Sequence, residues 1–158
     1  MPNEITRKRV VEAARSLIGQ PWRHQGRTPA NGKWGGIDCA GLIVLTGRMA
    51  GVLSDDADLA GYHRQPDGRT MLALLSKWGT PVLKPQPGDV AALIVQGASR
   101  PQHLGIVSDL PDGRLGLVHA CARRRRVVEN SLDATGQSVS VVGYWAFNGL
   151  EDEPWRRC

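Results

Sequence analysis

A change of hydrophobic period near Pro85 does most to limit what this chain can fold into. Before it, apolar residues recur at helical spacing. In 6–18, "TRKRVVEAARSLI", Val10, Ala13, Ala14, Leu17 and Ile18 share one face, with Thr6 placed as N-cap and Gly19 as a stop before Pro21. A second helix is expected from about Asp38 to Met49, capped by Asp38 and ended near Gly51, and a third over 70–78, ended at Gly79. After Pro85 the chain breaks into short β-rich runs at 89–95, 103–109, 115–121, 125–131 and 138–147. Helices first and strands second predict an α+β fold with N-terminal helices packed on an antiparallel sheet.

A length of 158 residues suits one domain, 1–158, with no internal repeat or low-complexity linker. No apolar run approaches the length of a membrane span, so none is expected. The amphipathic N-terminus, without a compact apolar segment or a small-residue cleavage site, does not read as a secretory signal, and synthesis in the cytosol is expected. Cys39, Cys121 and Cys158 are an odd number in such a chain, which predicts free thiols rather than a disulfide framework. The formal charge of +5 comes partly from "RRRR" at 123–126. That run reads either as a solvated strand or turn or as a contact for an anionic polymer; charge alone names no partner, and no nucleic acid is expected.

The chemistry is concentrated in three places. Residues 20–37 form a long loop rich in Gly and Pro that carries Trp22, His24 and Trp34, and a loop of that length in a small domain is often functional. Directly after it, "DCAGL" puts Cys39 in the first turn of the second helix, where unsatisfied N–H groups favour a thiolate. Further on, "LPDGR" is a strong turn signal between two strands. A turn centred near Pro111 and Asp112 brings His103 and His119 within a residue of facing one another, with His103, Gly105 and Val107 on one face and Gly105 leaving room beside the imidazole. A thiol at a helix start, an imidazole to activate it and a polar group to orient that imidazole are the parts of nucleophilic catalysis. Zinc is the competing use of such residues, but no C-x-x-C or H-x-x-x-H pair occurs and His119 and Cys121 are only two apart, so no metal and no other cofactor is expected.

The ordered motifs "LIGQPW…DCAGLIV", "PGDVAAL", "QHLGIVSD" and "LVHA" resemble the NlpC/P60 family of papain-like cysteine peptidases, and most of all its stand-alone members from phage tails and gene-transfer particles. The resemblance spans roughly residues 8 to 147. It implies Cys39 as nucleophile, His103 as base and His119 as the residue that orients the base. It also implies a peptidoglycan stem peptide as substrate, cleaved at an amide such as γ-D-glutamyl-diaminopimelate, with phage tail proteins as partners. Ala40 stands where the family usually has Ser, and Trp22 where it often has Tyr, so Trp22, His24 and Asp38 are the candidates for contact with substrate. A related Cys–His amidase or acyltransferase, or a tail-assembly protein that uses the fold for docking, are the competing readings.

Overall fold

The computed structural model describes residues 4–28, 35–58, 68–95, 103–135 and 139–152. Helix α1 (Arg7–Ser16) is followed by two short strands, β1 (Arg27–Thr28) and β2 (Gly36–Ile37). Then come α2 (Cys39–Ala50), α3 (Gly68–Trp78), β3 (Gly79–Val82), β4 (Val90–Val95), β5 (His103–Asp109), β6 (Leu115–Cys121), β7 (Arg126–Ser131), the single turn α4 (Leu132–Thr135) and β8 (Val139–Phe147). Three helices pack on an antiparallel six-stranded sheet of order β3-β8-β4-β5-β6-β7, the α+β arrangement expected from the sequence.

The helix ends are chemically explicit. Thr6 accepts a hydrogen bond from the Arg9 N–H and Asp38 accepts one from the Gly41 N–H, so each helix start satisfies an orphan donor. Gly51 closes α2 in the left-handed region at φ 86°, a conformation that costs glycine little. Helix α1 stops at Ser16, two residues before the expected end, because Leu17 takes the C-cap position. It is tied to the sheet by a 2.5 Å ion pair between Arg7 and the fully buried Asp89, just before β4.

Alternation along the strands divides the sheet into two faces. Val90, Ala92, Leu104, Ile106, Val118 and Ala120 pack with Val10, Ala14, Leu42 and Ile43 of α1 and α2 into the main core. Ala91, Leu93, Val107 and Leu117 form a smaller cluster on the other face, partly covered by Leu132, Val141 and Tyr144. The turn between β5 and β6 falls where "LPDGR" predicts it: Leu110 and Arg114 are joined backbone to backbone, with Gly113 at φ 84°. The loop before α2 is more ordered than the sequence suggests. Its β1 and β2 pair, and Gly19 and Gln20 bond to Val127 while the Trp22 N–H donates to the Arg125 carbonyl. The segment 19–22 thereby runs along the outer side of β7.

Candidate active site

The two histidines meet as the alternation predicts, by a slightly different register. Ile106 pairs with Val118 and Val107 with Leu117, which, continued, sets His119 opposite Gly105 and His103 one diagonal step away. The rings are near perpendicular, at 82° with centroids 5.0 Å apart, and His103 Nε2 lies 2.8 Å from His119 Nδ1. An added Cβ at Gly105 would meet the Leu117 side chain, so the glycine makes room for that leucine as well.

Behind His119 stands a residue that the sequence does not single out. The Nε2 of His119 is 2.8 Å from Asn130 Oδ1, because β6 and β7 pair Leu117 with Asn130 and His119 with Val128, placing Asn130 diagonal to His119 on the same face. The tautomers follow from this chain of contacts. An amide oxygen only accepts, so His119 Nε2 carries a proton and its Nδ1 a lone pair. That lone pair accepts from His103 Nε2–H, which leaves His103 Nδ1 unprotonated in the neutral ring, the form a base needs.

Cys39 opens α2 and is buried in the main core with Leu104, the residue after His103. The α2 start is held by Asp38, only 3% exposed, whose oxygens receive the Gly41 N–H at 2.8 Å, the Gln25 N–H at 2.7 Å and the Arg27 guanidinium at 3.1 Å. Asp38 is thus engaged as a cap and as the anchor of the preceding loop. Gly41 completes the fit, since a Cβ there would collide with the Gly26 carbonyl oxygen. No hydrogen bond joins the Cys39 thiol to either imidazole among the described residues.

The expected thiolate is overturned by burial. Desolvation first, and the Asp38 carboxylate second, push the Cys39 thiol up to about 12, against the smaller opposing pull of the Leu104 and Ala40 N–H groups and of Arg27. Burial, helped by His119, pushes His103 down to about 3. Burial also lowers His119, opposed by its bond to Asn130 and reinforced by the charge of Arg124. These shifts all favour a neutral thiol and neutral imidazoles at rest over an ion pair.

Trp22 is half-buried against the main core, and His24 lines a cleft of about 320 Å³ with Arg23, Gln25, Gly26, Arg27 and Gly36. Trp34 and Cys158 lie outside the described residues. Cys121 is a free thiol, half-buried at the end of β6. Among the described residues, no group of three or more His, Cys, Asp and Glu side chains is placed to hold a metal ion, and no helix is long and apolar enough to cross a membrane.

No protein-family model and no curated protein matches the chain. Solved structures do resemble it. NlpC1 from Trichomonas vaginalis superposes with a TM-score of 0.62 at 14% identity, over 89% of this chain and 44% of that one. The peptidoglycan hydrolase RipB from Mycobacterium tuberculosis gives 0.55 at 20% identity, over 89% and 63%. An N-acetylmuramoyl-L-alanine amidase from Bacteroides uniformis gives 0.65 at 11% identity, over 89% and 98%. The chain spans less than two thirds of the Trichomonas and mycobacterial proteins. At these identities the likeness establishes a shared fold.

Proposed function

We propose that this domain is a cell-wall hydrolase of the cysteine peptidase type, cutting an amide in the peptide stem of peptidoglycan. The observation that carries the reading is the relay His103–His119–Asn130, which begins one residue from the Leu104 N–H that faces the Cys39 sulfur. Such a relay holds a base in its unprotonated form, and the reading requires that base to reach the thiol at the α2 start. In the proposed reaction His103 Nδ1 takes the Cys39 proton as the sulfur attacks the amide carbon. The oxyanion is received by the Cys39 backbone N–H, an orphan donor of the α2 start. His103 then protonates the departing amine, and water, deprotonated by the same ring, releases the acid from the thioester. The two neutral resting groups supply thiolate and imidazolium only as charge develops on the substrate.

A γ-D-glutamyl-diaminopimelate amide is the bond we propose, with Trp22 and His24 lining its approach. Carriage to the wall by a phage tail or gene-transfer particle, among phage tail proteins, is proposed on the sequence resemblance alone. Both rest on analogy. A second reading, an amidase acting on a neighbouring bond, is favoured by the fold shared with the Bacteroides amidase.

The test is incubation of the purified protein, and of Cys39→Ala, with defined stem peptides, followed by mass measurement of the products. Cleavage by the parent and none by the variant, with circular dichroism unchanged, supports the reading. Equal cleavage by both overturns the nucleophile. The masses of the products separate the peptidase from the amidase. A parent that cleaves nothing points to a docking protein with an inert thiol.

A further inference from the structure

The turn that joins β6 to β7 is made of Ala122 and the first three residues of the arginine run, and Arg126 opens β7. All four arginines are exposed, and none forms an ion pair among the described residues. Their position is what matters. His119 lies two residues before the end of β6, so the turn projects from the end of the strand that carries the relay. Arg124 is near enough that its charge acts on the His119 ring. Across the turn, the Arg125 carbonyl receives the Trp22 N–H and Arg126 bridges to Pro21. The chain leads directly from there to Arg23 and His24 in the cleft, with Arg27 beyond.

The backbone adds a second observation. Arg125 sits at φ 59°, in the left-handed region that favours glycine or asparagine, and closes a tight turn with its N–H on the Ala122 carbonyl. A long cationic side chain at a position where glycine fits without strain is a departure from local preference, and such departures gather at functional sites.

We infer that the Arg123–Arg126 turn is the rim of the substrate site and receives a free carboxylate of the peptide next to the bond that is cut. Unpaired guanidinium groups suit a carboxylate, which they can hold through two parallel N–H···O bonds. Their place at the end of the strand that carries His119 puts that carboxylate near the relay rather than at a remote surface. The inference rests on the hydrolase reading for the identity of the ligand, though the anion site itself does not require catalysis.

The experiment therefore measures binding and turnover separately. Calorimetry with Cys39→Ala compares a stem peptide that has free carboxylates with its carboxamide, in the otherwise native sequence and with Arg123→Gln and Arg124→Gln added. The free acid should bind about fivefold more tightly than the amide, the size of an exposed ion pair. Removing the two arginines should abolish that preference, and so should raised salt. In the active protein the same pair of substitutions should raise KM for the free acid and leave kcat nearly unchanged. A preference for the free acid that survives the substitutions, or no preference at all, overturns the inference. So does an effect confined to sedimentation with anionic wall polymer, which would make the run a polymer contact. If the carboxylate preference depends on the arginines while the parent cleaves no peptide, the rim stands and the hydrolase reading falls. Cleavage without such a preference has the opposite meaning.

Discussion

Asn130 Oδ1 lies 2.8 Å from His119 Nε2, and through that contact an amide on β7 sets the proton position on a second imidazole, that of His103. Asn130 touches no reacting atom in the proposed reaction. It is a positioning residue, and its effect is read through the two rings in front of it.

Replacing Asn130 with Ala frees His119 to take the other tautomer, so His103 no longer has a single unprotonated nitrogen facing one way. A fall of roughly 10–100-fold in kcat/KM is expected, the usual cost of losing such a partner. Asn130→Asp keeps the acceptor and adds a charge that favours the imidazolium, so it should restore much of the rate and move the acid limb of the pH profile upward. An unchanged rate and profile in Asn130→Ala would remove the residue from the relay.

The pH dependence of turnover follows from the two displaced groups. His103, held down to about 3 by burial and by His119, stays unprotonated well below the usual histidine range, so kcat/KM should persist through pH 6.5 and fall only on approach to pH 3. On the alkaline side the thiol, raised to about 12, places the other limb far above the usual thiol range. Alkylation of Cys39 should accordingly be slow at neutral pH and accelerate as the pH rises, with Cys121 modified first. An acid limb in the ordinary histidine range, or rapid alkylation of Cys39 at neutral pH, would contradict the buried neutral site.

Stability should share the acid sensitivity. The unfolded chain protonates His103 near pH 6.5 and the folded protein only near 3, so the unfolded state binds more protons between those values and stability declines as the pH falls through that window. The loss is about 1.4 kcal/mol for each pH unit crossed. His119, also lowered by burial, acts in the same sense, whereas the buried Asp89, pushed upward by burial, acts in the other. Comparing Tm at neutral pH with Tm at about pH 4.5, inside that window, for the parent and His103→Gln isolates the histidine. The variant should lose less on acidification, and equal losses would refute the assignment.

Gly41→Ala tests how the loop is seated on α2. Its new Cβ would strike the Gly26 carbonyl, and backbone cannot swing aside as a flexible side chain can. Destabilisation of about 1–3 kcal/mol in denaturant titration is expected, together with weakened peptide turnover as the Trp22–Arg27 segment is displaced. A variant with parental stability would mean that the loop accommodates the methyl group.

Much of this fold is legible in the amino-acid sequence because the signals are local. Thr6 and Asp38 each precede an apolar periodic run, Gly51 follows one, and "LPDGR" specifies its own turn, so helices, hairpin and the meeting of His103 with His119 can be read from short stretches. What escapes such a reading depends on pairing at a distance. Gly79–Val82 has no alternation to mark it and is a strand because β8 lies beside it. Asn130 looks like any polar residue of "RVVENS" until the β6–β7 register sets it diagonal to His119. The protonation of Cys39 escapes for a different reason: its helix position favours the thiolate, but its depth in the core, which only packing reveals, decides against it.

The segment from Gly19 to Trp22, bonded along the outer side of β7, also determines how the sheet presents itself to other chains. An open outer strand offers a row of free donors and acceptors, the template on which foreign strands dock and aggregation begins. Here the protein's own approach to its helix occupies the start of that template, along Arg125–Val127. At the opposite edge β3 spans four residues and contains Pro81, which has no N–H to donate. Growth of the sheet by strand addition is thus hindered on one side, where the chain itself covers the start of β7, and blunted on the other by a missing donor, so crowding these domains together need not zip their sheets into one.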